Sequence, residues 1–223
     1  MSLTATYDDQ LARVRLAATS LGGATTAVVE RSLDEIRWTT VRGGSEVAVA
    51  NSQASLDDYE FTPGVTNYYR LSVADDPEDF EDDVFEVDIS GTWARDSSTA
   101  YTGTWSYRSA AISHGQTSDA VLTLPANAGR VDVAYRVSSE EGFDELIILV
   151  DATPVFTASG ETGWRTTSFP VAGATTVTFR YAKDGSDSEG SDAAWIDNLR
   201  ITQQHTAALT PVIDRVWNKS IAR

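Results

Sequence analysis

Short runs in which apolar and polar residues alternate with a period of two restrict most strongly how this chain can fold. The clearest run places Val131, Val133, Tyr135 and Val137 at every second position. Side chains on a β-strand point alternately to opposite faces, so this run predicts a strand with one buried face. Similar runs are separated by clusters of Gly, Asn, Asp and Ser, and almost nothing has a helical period. The sequence therefore predicts an all-β protein.

The length of 223 residues allows two β domains, each with its own core. We predict a small sandwich over residues 1–74. The cleanest alternation lies further along, and it predicts a second domain over residues 84–203. Five or more strand-like runs in that second stretch are typical of a jelly roll, in which two sheets pack face to face.

Two further segments are predicted to lie outside these domains. Seven of the nine residues in 75–83 are acidic, which predicts an extended, solvated linker because like charges repel. A cation-binding strip or an acidic docking peptide around Phe80 is the alternative. Residues 204–223 are predicted to be a connector or docking segment, since the apolar pattern around Val216 and Trp217 cannot bury itself alone.

The charge balance excludes several classes of partner. The chain has 17 Lys and Arg against 33 Asp and Glu, giving a formal net charge of -16. This charge repels phosphate backbones and anionic lipid, so we expect neither nucleic acid nor a membrane surface as a partner. Divalent cations, neutral sugars and other protein subunits remain. The chain has no cysteine, which excludes a disulfide framework and a thiolate metal site.

The inventory of catalytic groups predicts that this protein is not an enzyme. Its two histidines, His114 and His205, fall in a predicted turn and a predicted connector, where we expect both to face solvent. No Gly-x-Ser-x-Gly elbow or His-Glu-x-x-His motif is present. Acidic residues near Gly142 could form a glycosidase pair only if two carboxyl groups faced each other across a cleft, and we interpret them as a connecting loop.

The acidic residues of the second domain make better calcium ligands than catalysts. Calcium takes six to eight oxygen ligands without strict geometry. Asp197 follows the apolar residues Trp195 and Ile196 in a predicted strand, where a buried carboxylate is costly unless something satisfies it. The alternative is a solvated acidic loop, with Asp197 accepting hydrogen bonds from backbone N–H groups. The candidate calcium ligands are Glu140, Asp144, Asp184, Asp192 and Asp197.

Aromatic residues of the second domain are candidates for sugar binding, because Trp and Tyr rings stack on pyranose faces. Tyr101 belongs to the same group, but the alternative for each ring is ordinary packing in a sandwich core. The candidate ligand-binding residues are Trp93, Trp105, Tyr107 and Trp164.

Two stretches resemble known β domains. Phe61, Pro63, Gly64 and Arg70 resemble the turn and late strand of a fibronectin type III or related immunoglobulin-like domain, which implies that fold for residues 1–74. The motifs Ser-Ser-Glu-Glu-Gly-Phe-Asp, Gly-Trp-Arg and Ala-Trp-Ile-Asp-Asn resemble those of MAM and CUB jelly rolls, which are similar to carbohydrate-binding modules. This second resemblance implies adhesion, carbohydrate or protein recognition, and calcium at loops.

The order of the two domains resembles the minor tail proteins of phages that infect actinobacteria. The matching parts are the hairpin over residues 29–44, the turn over residues 55–61 and the closing segment 209–223. This resemblance implies a non-enzymatic virion component of the distal tail. It also implies a homo-oligomer that contacts other tail subunits or host cell-wall carbohydrate. The alternative is a secreted bacterial carbohydrate-binding or adhesion module.

Overall fold

The computed structural model describes residues 2–74 and 76–212. Every regular secondary-structure element among these residues is a β-strand, so the all-β prediction is confirmed. The described residues contain no helix that is long and apolar enough to cross a bilayer. They form two units, one from residues 2–74 with 204–212 and the other from residues 76–203.

The first unit is a small antiparallel sandwich. One sheet has the strand order β1-β2-β6, and the other has the order β17-β7-β3-β4, with β5 also paired to β3. Its core contains Val14, Leu16, Val29, Tyr69 and Leu71. The strands are β1 (Ser2–Asp8), β2 (Arg13–Thr19), β3 (Thr26–Ser32), β4 (Thr39–Thr40), β5 (Val47–Ala48), β6 (Gln53–Asp58), β7 (Asn67–Ala74) and the end of β17 (Ala193–Leu209).

The chain after residue 203 differs from the predicted connector. Strand β17 continues to Leu209, and Ala207 and Leu209 pack against the core of the first unit. The N–H group of Gly64 donates to the carbonyl oxygen of Pro211 at 2.9 Å. His205, expected to face solvent, is only 8% exposed in this strand. The strand pattern was weak in the sequence because His205 and Ala207, which occupy inward positions, are not strongly apolar. Residues 213–223 of the predicted docking segment lie outside the described residues.

The second unit consists of two larger antiparallel sheets. One sheet has the order β14-β13-β16-β11-β8; the other, which we call the site sheet, has the order β15-β12-β17-β10-β9. Val131, Val133, Leu146, Ile148 and Phe179 are buried between them. The strands are β8 (Ile89–Gly91), β9 (Ala94–Asp96), β10 (Ser106–Arg108), β11 (Thr117–Thr123), β12 (Ala128–Ser138), β13 (Glu145–Val150), β14 (Thr153–Ser159), β15 (Arg165–Pro170), β16 (Thr176–Ala182) and the beginning of β17.

The acidic segment over residues 76–83 is packed into the second unit, so the prediction of a solvated linker is wrong for these residues. Phe80 is fully buried, and its ring stacks on that of Tyr107 with centroids 5.1 Å apart and planes 8° apart. The backbone groups of Glu78 and Leu199 exchange two hydrogen bonds of 2.8 and 2.9 Å, so this segment extends the site sheet by one bridge.

Charge repulsion does not control this segment because its carboxylates have local donors. The side chain of Glu78 accepts hydrogen bonds from the N–H groups of Phe80, at 2.8 Å, and Glu86, at 2.5 Å. Glu81 accepts from the N–H groups of Thr104 and Trp105. A backbone hydrogen bond to a buried charged group such as Glu78 contributes about 1.5–3 kcal/mol, which exceeds the repulsion between screened surface charges.

Candidate functional site

The site sheet presents two chemically different faces. Strand β12 turns Val131, Val133 and Tyr135 into the core, as its alternation predicts. The alternate residues of β12 point to the opposite, outer face, where Ala134 is buried and Arg136 is half-buried. Residues that are directly paired on neighbouring strands share a face, so the outer face can be followed across β15, β12 and β17.

A polar pocket of about 220 Å³ opens on this outer face. It lies where the pairing of β12 with β17 shifts register between Asp132 and Ala134, opposite Asn198, whose φ is 49°. Such bulges bend a strand locally, which explains a recess in an otherwise regular sheet. The lining combines hydroxyl, amide and carboxylate groups with a comparable amount of apolar surface, from Asp132, Val133, Ala134, Thr166, Thr167, Ser168 and Asn198.

Asp197 fixes the loop that borders this face. Its carboxylate accepts hydrogen bonds from the N–H groups of Tyr101, at 2.7 Å, Thr102, at 3.0 Å, and Asn198, at 2.6 Å. The side chain is fully buried. Burial raises the pKa of Asp197, and the three N–H donors oppose that shift. This arrangement corresponds to the alternative in which Asp197 is satisfied by backbone donors.

Two aromatic rings meet at one end of the outer face. The centroids of Tyr101 and Trp164 are 6.0 Å apart, and Tyr101 is 42% exposed. Trp164 comes two positions before Thr166, which lines the pocket, so the strand period places the ring about 6–7 Å along the same face. The hydroxyl oxygen of Thr99 accepts from both the indole N–H of Trp164 and the guanidinium of Arg136, each at 2.9 Å. The indole ring of Trp164 is therefore held in one orientation by Thr99.

The four aromatic residues predicted to bind ligand occupy three different environments. Trp93 and Tyr107 belong to the core, where Trp93 is 4% exposed, so neither is available for stacking on a sugar. Trp105 is half-buried, with the Arg95 guanidinium 4.4 Å from its ring centroid. Trp164 alone of the four lies beside the pocket. Periodicity cannot make this distinction, because a large ring suits a core and a sugar site equally well.

The structure brings three of the five predicted calcium ligands together. One carboxylate oxygen from each of Glu140, Asp144 and Asp184 lies within 4.8 Å of the others. Asp192 is separated from them by the buried amine of Lys183, which lies 2.5 Å from Asp192 and 3.2 Å from Asp144.

Asp197 is engaged elsewhere, by the loop amides described above. Sequence reasoning did not single out Lys183, although a lysine at the end of a buried strand beside an acidic loop is a recognisable signal for an internal ion pair.

Comparison with known proteins gives no family. No protein-family model matches the chain, and no curated protein matches it in sequence. Among solved structures, the chain is similar to the K2 cleaved adhesin domain of Lys-gingipain, with 16% identity and a TM-score of 0.43 over 56% of this chain and 97% of that one. It is also similar to CBM51 from Clostridium perfringens GH95 in complex with methyl-galactose, with 18% identity and a TM-score of 0.34 over 52% of this chain and 88% of that one.

A third similar structure is the secreted serine protease VesC from Vibrio cholerae, with 14% identity and a TM-score of 0.42 over 90% of this chain. The match spans half of the VesC chain. At these identities and TM-scores, none of the three likenesses carries an argument about ligand or activity.

Proposed function

We propose that the second unit is a non-catalytic glycan-binding module whose site is the polar pocket together with the Tyr101–Trp164 pair. The observation that carries this proposal is the position of a partly exposed aromatic pair at the end of a recess lined by hydroxyl, amide and carboxylate groups. A sugar offers an apolar ring face and a rim of hydroxyl groups, so it needs both kinds of surface in one place.

The pocket is well suited to hold such a ligand because regular backbone fixes its polar groups. Thr166 and Ser168 lie on β15, and Asp132 lies on β12, so the sheet ladder sets their spacing. A site on paired strands loses less conformational entropy on binding than one on a free loop. The bordering loop is itself tied down by Asp197.

Replacing Trp164 by alanine tests the proposal. We expect binding to glycans identified on an immobilised panel to weaken about tenfold or more, which corresponds to roughly 1.4 kcal/mol of lost stacking. Isothermal titration of the wild type and the variant with the soluble glycan measures the change. Tyr59→Ala removes an aromatic residue that is 62% exposed in the first unit, and it should leave the affinity unchanged. Equal losses in both variants, or an unchanged affinity in Trp164→Ala, would contradict the proposed site.

The place where the protein acts stays a prediction. A glycan-binding module fits the distal tail of a virion, and it fits a secreted adhesion or carbohydrate-binding protein equally well. Homo-oligomerisation, contact with other tail subunits and the absence of enzymatic activity also stay predictions. Immunogold labelling of purified particles separates the two locations, since a secreted protein would leave the particles unlabelled.

We also propose that Glu140, Asp144 and Asp184 bind one Ca²⁺. Their three carboxylates lie together, and the only ammonium group that the described residues pair with one of them is that of Lys183, which Asp144 shares with Asp192. One oxygen of Glu140 is buried without a hydrogen-bond partner, and burial together with the charges of Asp184 and Asp187 raises the pKa of Glu140. A divalent cation would relieve this excess of negative charge through the oxygen ligands that calcium prefers.

Calcium binding should be visible as added stability of the full chain. A ligand present at 100 times its Kd stabilises a protein by about 2.7 kcal/mol. We expect millimolar Ca²⁺ to raise the denaturation midpoint, a chelator to reverse the change, and Glu140→Gln to remove the response. Glu141→Gln, at an exposed neighbouring position, serves as the control that keeps the response. Identical midpoints with Ca²⁺ and with chelator in the wild type would refute this proposal.

A further inference from the structure

Rings and guanidinium groups alternate in a row across the outer face of the site sheet. Trp195 on β17 is paired with Arg136 on β12 and with Arg108 on β10. The guanidinium carbons of Arg108 and Arg136 lie 5.3 and 5.5 Å from the Trp195 ring centroid. Arg165 is paired with Tyr135 on β12, so Trp164, one position earlier, lies opposite Arg136 and continues the row. Two positive charges thus lie in one line with the aromatic pair of the proposed glycan site.

Neither arginine forms an ion pair with a carboxylate of the described residues, although two carboxylates are close in the fold. Asp96 accepts from the indole N–H of Trp195 at 2.9 Å and from Ser98. Asp197 is taken up by three backbone N–H groups. Neutral donors therefore form the hydrogen bonds of both acids. Asp96 and Arg108 interact through space, but neither guanidinium group has a hydrogen-bonded carboxylate partner among the described residues.

The hydrogen-bonding capacity of the two guanidinium groups is also largely unused. Each group has five N–H donors. Arg136 donates to the hydroxyl of Thr99 at 2.9 Å, and Arg108 makes a long contact of 3.5 Å to the carbonyl oxygen of Ser191. The Nε atom of each is buried without a hydrogen-bond partner. Both side chains are half-buried, so their remaining donors have restricted access to water.

We infer that the ligand of this face is an acidic glycan whose carboxylate is bound by Arg136, with Arg108 adding to the positive potential. This inference rests on the proposed glycan-binding function and specifies its ligand class. A planar carboxylate matches the guanidinium fork, and such charge-assisted pairs are about twice as strong as neutral hydrogen bonds. A sugar stacked on Trp164 would bring a ring substituent toward Arg136, which shares the Thr99 hydroxyl with that tryptophan.

The net charge of -16 does not prevent binding of such a ligand. Repulsion from distant carboxylates is screened beyond about 10 Å at 0.1 M ionic strength, whereas a guanidinium in direct contact acts within that distance. The same net charge still opposes a long polyanion that would run past the site onto the acidic surface. The geometry therefore favours a glycan with isolated acidic residues.

Carboxyl reduction provides matched ligands for the test. A panel of uronic-acid polysaccharides is compared with the same polysaccharides after their carboxylates have been reduced to primary alcohols, and a phosphodiester-bearing wall polymer forms a separate arm. We expect the wild type to bind an acidic member at least tenfold more tightly than its reduced form. Arg136→Gln should remove that difference, while Arg42→Gln, which deletes one exposed charge in the first unit, should keep it.

The outcomes separate this inference from the proposed function. Equal binding of acidic and reduced forms, with Trp164→Ala still impaired, overturns the acidic-ligand inference and leaves the glycan site intact. Preference for the phosphodiester polymer alone overturns the carboxylate assignment. If Arg136→Gln loses its fold together with its preference, Arg136→Lys is used instead, because lysine keeps the charge but lacks the guanidinium fork. We expect Arg136→Lys to recover less than half of the wild-type difference in affinity between the acidic and the reduced polysaccharide.

A second measurement does not depend on finding the glycan. The full chain labelled with ¹⁵N is titrated with sodium acetate against sodium chloride of equal ionic strength, and the Nε–Hε signals of the arginines are followed by NMR. We expect the signals of Arg136 and Arg108 to shift with acetate and to saturate, while the signal of exposed Arg42 stays constant. Absence of a specific shift for Arg136 up to 100 mM acetate, which is about ten times a Kd of roughly 10 mM, overturns the inference.

Discussion

Replacing Phe80 by alanine is expected to lower the free energy of unfolding of the second unit by about 3–5 kcal/mol. The residue lies in a segment whose composition is that of a linker, yet its ring is fully buried against Tyr107 and makes an edge contact with Phe85. Truncation would remove buried apolar area and leave a cavity that the surrounding sheet cannot fill completely. Guanidinium denaturation of the full chain, followed by tryptophan fluorescence, measures the change.

Phe143→Ala is the matched control, because it removes the same ring at a position that is 59% exposed in the same unit. We expect that variant to differ from the wild type by no more than about 0.5 kcal/mol. If residues 76–83 were a solvated linker, Phe80→Ala would be as stable as Phe143→Ala. Equal denaturation midpoints for Phe80→Ala and the wild type would therefore refute the packing of Phe80. A fragment beginning at residue 84 should be similarly destabilised, since it lacks both Phe80 and Glu78.

The second large effect is expected for Asp197→Ala, which should cost the second unit on the order of 3 kcal/mol. The substitution leaves the N–H groups of Tyr101, Thr102 and Asn198 without their acceptor at a partly buried place. Because two of these groups belong to the loop bordering the pocket, glycan binding should weaken as well. Denaturation gives the loss of stability, and hydrogen exchange of the Tyr101 and Thr102 amides reports directly on the loop.

Asp187→Ala removes an exposed carboxylate from the acidic loop and should leave both readouts unchanged. Calcium distinguishes the two roles considered for Asp197. If Asp197 acts through backbone donors, its substitution costs the same free energy in Ca²⁺ and in chelator. A loss that appears only in the presence of Ca²⁺ would instead make Asp197 a ligand and would contradict the loop-anchoring role.

Local patterns predicted the strands of the second unit well. The alternation of Val131, Val133 and Tyr135 is a property of the strand period itself, so the buried face of β12 could be read directly. Asp197 was recognised as constrained for a similar reason, because a carboxylate in a largely apolar strand needs partners. Which partners it has could not be read, since Tyr101 and Thr102 are more than ninety positions away.

The segments over residues 76–83 and 204–209 were predicted less well. Seven acidic residues suggested repulsion, but that argument counts charges and leaves out the backbone donors to Glu81 and the ion pair of Arg95 with Asp83. The last part of β17 was missed because Ala207 carries little apolar signal, although it packs against the core of the first unit. In both cases the deciding contacts are distant in sequence.

The candidate site depends on such contacts even more. Four aromatic residues were equal candidates in the sequence, and only the pairing of strands separates core-packed Trp93 from Trp164 beside the pocket. The row of Trp195, Arg136 and Arg108 comes from three strands, and no spacing along the chain encodes it.

The sequence by itself determined that the chain is all-β, which faces of its main strands are buried and that Asp197 requires partners, because these follow from neighbours within a few residues. Only the tertiary structure decided that residues 76–83 are packed against the site sheet, that residues 204–209 return to the first unit and which aromatic ring lies at the pocket. The physical reason is that strand pairing joins residues irrespective of their separation along the chain.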